Sequence, residues 1–138
     1  MKLNELLKRK VAYKVIKNSS SKFGTSAVIN GREIRFYAIE DESGFDEWNV
    51  SFGEITSGKP TSKMTGSGGE FDVLSMVKDS LDEFILTRHP RAITFTASKG
   101  DRSRASVYER MLKRMMPSDW SYERNDHGGD VFFTMIKA

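Results

Sequence analysis

The sequence contains no cysteine, only three prolines and only two histidines. Without thiols there is no disulfide, no zinc–thiolate centre and no cysteine nucleophile. His89 stands before Pro90 and His127 sits in an Asn-Asp-His-Gly-Gly stretch; neither has a second nitrogen ligand at metal spacing, so no metal site is expected. No apolar run has the length a bilayer span requires, and the N-terminus lacks the apolar core of a signal peptide. With the missing thiols, this suits a cytoplasmic protein with no membrane partner. Two catalytic signatures are absent as well. There is no Gly-x-Ser-x-Gly elbow, and the glycine-rich stretch lacks the Gly-Lys-Ser/Thr ending of a P-loop.

What is present bounds a single domain over residues 1–138, long enough to bury about two-thirds of its unfolded surface. The formal charge of +3 is small and argues against a dedicated nucleic-acid protein. It is also local. Between Asp101 and Arg114, the cations Arg102, Arg104, Arg110, Lys113 and Arg114 face only Asp101 and Glu109. A solvated helix face or a local anion site would both look like this. Nucleic-acid binding through these cations is a third reading, weakened by the lack of interleaved exposed aromatics.

Along the chain, Leu3, Leu6, Leu7 and Val11 suggest a short amphipathic helix over residues 2–10, with Val11–Ile16 readable as a strand. Asn18–Lys22 reads as a polar loop. Asn30-Gly31, set between two β-type runs, is a type I′ hairpin signal. Ile34, Phe36 and Ala38 share one face of the strand after it, and Trp48, Val50 and Phe52 alternate along the next. The result is a three-stranded antiparallel meander. Ile55–Thr65 reads as a loop around Pro60. A helix follows from Glu70, with Leu74, Val77, Leu81, Phe84 and Ile85 at spacings of three and four, and ends near Arg88-His89-Pro90. Arg91–Ala97 is a strand that can lie parallel to the third through the helical crossover. A second helix, N-capped by Asp101 or Ser103, carries Val107, Tyr108, Met111, Leu112 and Met115. Residues 120–124 and 131–136 form a last strand pair joined by a loop over Asn125–Asp130. The fold class is α+β, with a mixed, mostly antiparallel sheet.

The stretch Lys63-Met-Thr-Gly66-Ser67-Gly68-Gly69 opens directly onto the first long helix. Glycines let another atom approach the backbone, and a helix start offers unpaired N–H groups and positive dipole character. This loop is either an anion site or a flexible connector.

The element order, with Gly66-Ser-Gly68 starting one helix and Arg104-Ala-Ser-Val-Tyr108-Glu-Arg110 in the next, resembles the GNAT acyl-coenzyme A acetyltransferase superfamily. Lys63-x-x-Gly66-x-Gly68 is similar to the family's Arg/Gln-x-x-Gly-x-Gly/Ala pyrophosphate loop, and Tyr108 matches the tyrosine the family places near the thioester sulfur. The resemblance implies an N-acetyltransferase taking acetyl-CoA and an amine or protein acceptor. Lys63, Gly66, Ser67, Gly68 and Gly69 would hold the pyrophosphate, Arg104 (or Lys99) the 3′-phosphate, and Tyr108 would be the acid. Glu54, near the end of the third strand, is the base to name, with Glu47 behind it. Arg104 four residues before the tyrosine, and Leu112-Lys113 after it, depart from the family's small residue and Gly-Phe. The alternative is a catalytically inactive GNAT-like protein-interaction module. The sequence style also resembles short bacteriophage-encoded proteins, which would place it in a host cytoplasm.

Overall fold

Two tight turns set the strand registers. At Asn30-Gly31 both residues have positive φ, 53° and 76°, as a type I′ turn requires. The turn joins β2 (Lys22–Ile29) to β3 (Arg32–Glu40), which pair antiparallel from Ile29↔Arg32 to Lys22↔Ile39. At Gly128-Gly129, φ is 61° and 88°, and β7 (Trp120–His127) returns as β8 (Asp130–Lys137). The remaining elements are β1 (Lys14–Asn18), β4 (Glu47–Thr56), β5 (Lys59–Pro60), α1 (Glu70–Arg88), β6 (Ala92–Ala97) and α2 (Arg102–Met115). The computed structural model describes residues 11–42, 46–56, 59–60, 70–97, 102–116 and 118–137. The helix expected over residues 2–10 lies outside these.

Three expectations change. The meander has four strands, because Lys14–Asn18 pairs antiparallel with β2 and moves the polar loop to residues 19–21. Asn125–Asp126 belong to β7: their ladder partners Phe132 and Val131 outweigh a weak strand propensity. The expected loop after Ile55 begins with a short ladder, Ile55↔Pro60 and Thr56↔Lys59, with proline on the short edge strand where a missing N–H is tolerated.

The chain's contacts gather into two compact units, Met1–Ile39 with Ser51–His89, and Glu40–Val50 with Pro90–Ala138. In the first unit the strand order is β1-β2-β3-β4, with β5 on β4. Strand alternation puts Phe23 and Thr25 toward α1, where the Phe23 and Phe84 rings lie 5.7 Å apart. Leu74, Val77, Leu81 and Phe84 are fully buried, as their spacing predicts. Burial extends further, to the whole run Val73–Val77, so the first half of α1 is enclosed on more than one stripe. The helix stops with His89 in the left-handed region (φ 50°), its N–H bonded to the Ile85 carbonyl at 3.0 Å, and Pro90 next. Arg88 at this end donates to the Asn18 side chain and the Ser19 carbonyl, tying the helix to the β1–β2 turn.

In the second unit the order is β4-β6-β8-β7. β4 and β6 pair parallel, and β6 pairs antiparallel with β8. Ile93, Phe95, Phe133 and Met135 form one sheet face, and Tyr108 and Leu112 of α2 are buried in the same unit. No described helix is long and apolar enough to cross a membrane.

The buried hydroxyls of Thr25 and Ser80 bond each other at 2.8 Å, the polar contact between β2 and α1. Thr25→Val leaves the Ser80 hydroxyl without this partner and should cost about 1–3 kcal/mol in urea unfolding. The double variant Thr25→Val/Ser80→Ala should recover part of that loss. Strict additivity of the two single costs would show that the pair is not coupled.

Candidate functional site

The glycine loop, Lys63 through Gly69, lies outside the described residues. Helix α1 begins at Glu70, directly after Gly69, and runs for 19 residues. A helix of that length carries unpaired N–H groups and a dipole at its start.

The β4–β6 ladder is short. It runs from Glu47↔Ala92 to Val50↔Phe95, whereas β6 stays paired with β8 through Ala97↔Val131. Thr96 and Ala97 therefore have a ladder partner on one side only among the described pairings.

Glu54 and Tyr108 fall in different units, Glu54 in the first and Tyr108 in the second. Arg32 Nη1 donates to both Glu54 carboxylate oxygens, at 3.0 and 3.2 Å. The Glu54 side chain is 15% exposed and that of Arg32 56%, so an incoming amine would have to displace the guanidinium. Arg32 was not singled out from sequence. Its place right after the Asn-Gly turn, and the alternation of β4, were the signals available. Glu47 is exposed at the first residue of β4.

Tyr108 is 3% exposed. Its ring lies 6.2 Å from Phe95 and 6.4 Å from Phe133, the second edge-to-face. The tyrosine is a packing residue of its unit whatever else its hydroxyl does. Arg104 lies in the first turn of α2, and its side chain is outside the described part. Arg110 and Lys113, from the basic run, are exposed. His89 and His127 are exposed at a helix end and a strand end, and no described group of three His, Asp or Glu residues is placed to hold a metal.

One polar cluster had no sequence signal. The Tyr13 hydroxyl donates to Glu83 Oε1 at 2.7 Å, joining the segment before β1 to α1 across 70 residues. An open hollow of about 380 Å³ beside it is lined by Tyr13, Asp79 and Asp82, among others. Burial, then the hydrogen bond to Glu83, and then the charges of Glu83, Asp79 and Asp82 push the phenol well above its ordinary range.

No family model matches the sequence, and no curated protein matches it. Solved structures do, and they are GNAT acetyltransferases: the chain has the GNAT fold. One is a chimera of the Vibrio cholerae spermidine N-acetyltransferase SpeG with hSSAT. It has a TM-score of 0.57 at 11% identity, covering 87% of this chain and 69% of that one. The GNAT domain of PAT from S. lividans gives 0.55 at 14% identity, over 86% of this chain and 62% of that domain. A probable acetyltransferase gives 0.55 at 9% identity, with 85% and 62% covered. The chain thus spans about two-thirds of the length of these structures. Identities this low establish the architecture alone.

The raised Tyr13 pKa has a signed consequence. The folded chain keeps a phenolic proton that the unfolded chain releases near its ordinary value of 10.0. The contribution is complete below that value and is lost as pH rises above it toward the folded value. Urea unfolding between about pH 9 and about pH 11 should show a smaller fall in stability for Tyr13→Phe than for the parent. Equal slopes would mean the phenol is not held protonated by the fold.

Proposed function

We propose that the chain is an acetyltransferase of the GNAT type, moving an acetyl group from acetyl-CoA to an amine. The observation that carries this reading is the fold itself, matched over 87% of the chain to a spermidine N-acetyltransferase chimera. The abrupt end of the parallel β4–β6 ladder and the run of glycines in the sequence directly before α1 support it.

The residues suit the ligand. Amides of Ser67, Gly68, Gly69 and Glu70 would be the donors to a pyrophosphate, with Lys63 adding charge and Arg104 the cation for the 3′-phosphate. When bound, acetyl-CoA supplies an acetyl group already activated as a thioester. The chain binds and orients that group and moves two protons. Glu54 would accept the proton of the acceptor nitrogen, once Arg32 gives way. The Tyr108 hydroxyl would supply the proton that the leaving thiolate needs. The acceptor is an amine; spermidine and protein amines are the two classes to try first.

A second reading, a GNAT-like protein-binding module without turnover, draws on two observations. Glu54 is already engaged by Arg32, and Tyr108 is buried against the ladder pair Phe95 and Phe133.

Calorimetry and thermal melting with acetyl-CoA separate the two. A ligand at 100 times its dissociation constant stabilises by about 2.7 kcal/mol, a melting shift of several degrees. Gly68→Glu should abolish the heat and the shift while leaving the unliganded melting temperature unchanged. No heat at millimolar acetyl-CoA would overturn the transferase. With turnover in hand, Tyr108→Phe should lower kcat about 100-fold or more with coenzyme affinity unchanged. Full activity in that variant would remove Tyr108 as the acid.

A further inference from the structure

In the first unit α1 covers one face of the β1–β3 sheet: Phe23 meets Phe84 and Thr25 meets Ser80. Ladder partners share a face, so the register defines what lies on the other side. Lys14 stands beside Ser26 and Ser26 beside Arg35; Lys17 stands beside Gly24 and Gly24 beside Tyr37; Lys22 stands beside Ile39. This second face is open among the described residues of the unit, with Val28 71% and Ile39 45% exposed.

Its charge is lopsided. Glu33 is the acidic residue set among Lys14, Lys17, Lys22 and Arg35, and it is already engaged. Ser26 donates to Glu33 Oε2 at 2.7 Å and Arg35 Nε donates to the same atom at 2.8 Å. Lys14, Lys17 and Lys22 form no ion pair with a described residue. At the centre the side chains hold one another. Arg35 Nη1 donates to the Tyr37 hydroxyl at 3.0 Å, and Lys22 Nζ lies 4.4 Å from the Tyr37 ring centre. The ring packs so closely on Gly24 that a Cβ there would sit 2.7 Å from it. A held aromatic and a held arginine flanked by the exposed Lys14 and Lys17 and the half-buried Lys22 have the make-up of an interface centre with a charged rim.

A socket lies beside it. The β1–β2 ladder ends at Lys14↔Ser26, so Ala27 to Ile29 have only β3 as a described ladder partner. A hollow of about 440 Å³ opens there, lined by Lys14, Ser26, Val28 and Glu33, among others. It has room for an apolar or aromatic side chain against Val28.

We propose that this face docks an acidic polypeptide segment, its carboxylates on Lys14, Lys17 and Lys22 and one apolar or aromatic side chain in the hollow beside Val28. Two competing occupants fit worse. A base has little of the Tyr37 ring to stack on, because Gly24 and Lys22 already occupy it. A second copy related by two-fold symmetry would set lysines against lysines. The proposal does not depend on the acetyl-transfer reading, and either can fail alone.

The test uses the full chain and a random glutamate–tyrosine copolymer as probe, with polyglutamate and oligothymidylate beside it, followed by fluorescence anisotropy at low salt. The copolymer should bind more tightly than polyglutamate, and Val28→Asp should abolish that difference. Lys14→Glu/Lys17→Glu/Lys22→Glu should weaken copolymer binding at least tenfold, and Lys14→Gln/Lys17→Gln at least threefold if the triple variant does not fold. A control with the same charge change elsewhere, Arg110→Glu/Lys113→Glu/Lys137→Glu, should stay within twofold. An equal loss in the control would reduce the effect to net charge and overturn the proposal. So would oligothymidylate binding as tightly through the same lysines, or self-association of the free chain that the triple variant removes.

Discussion

Two strands that run side by side in the same direction cannot be joined by a tight turn; the chain has to leave the sheet and come back. The parallel pair β4 and β6 imposes that requirement here, and α1 is the segment that meets it. Every other described ladder is antiparallel. This pairing, the parallel one among the described ladders, therefore needs a long crossover segment, and α1, starting at Glu70 directly after Gly69, fills it.

The helix is fastened by contacts of different kinds along its length. Near its middle, the Thr25–Ser80 hydroxyl pair satisfies two polar groups that apolar packing would otherwise strand. One turn on, Glu83 receives the Tyr13 hydroxyl. At its end, Arg88 reaches Asn18 and Ser19, while His89 in the left-handed region closes the last turn. The hydroxyl pair, the Tyr13 bond and the Arg88 bonds link α1 to β2, to the segment before β1 and to the end of β1, alongside an apolar core of Phe23, Phe36 and Phe84.

Legibility in the sequence followed the range of the interaction. The Asn30-Gly31 hairpin, the strand alternation around Phe36 and Trp48, and the apolar stripe of α1 depend on residues within a few positions of one another, and each was readable. The edge strand β1 was half seen, because Val11–Ile16 mixes helical and strand spacing and only pairing with β2 decides it. Asn125-Asp126 reads as a loop until Phe132 and Val131 supply partners across the ladder. Of the candidate site, Tyr108 was correctly placed on the buried side of its helix, but its neighbours Phe95 and Phe133 lie 13 and 25 residues away. Glu54 was nameable as a carboxylate near a strand end. Its engagement by Arg32, 22 residues earlier, was not.

What the sequence determined alone is whatever local stereochemistry and periodicity enforce: which residues turn, which alternate, which helix begins on glycines, and that no thiol chemistry is available. Tertiary structure decided which carboxylates are already engaged, where the parallel ladder stops, and that Lys14, Lys17 and Lys22 gather around Tyr37 on an open face. Those outcomes come from backbone hydrogen bonding between strands that are adjacent in space. A ladder brings together residues whose separation in the sequence carries no period to read.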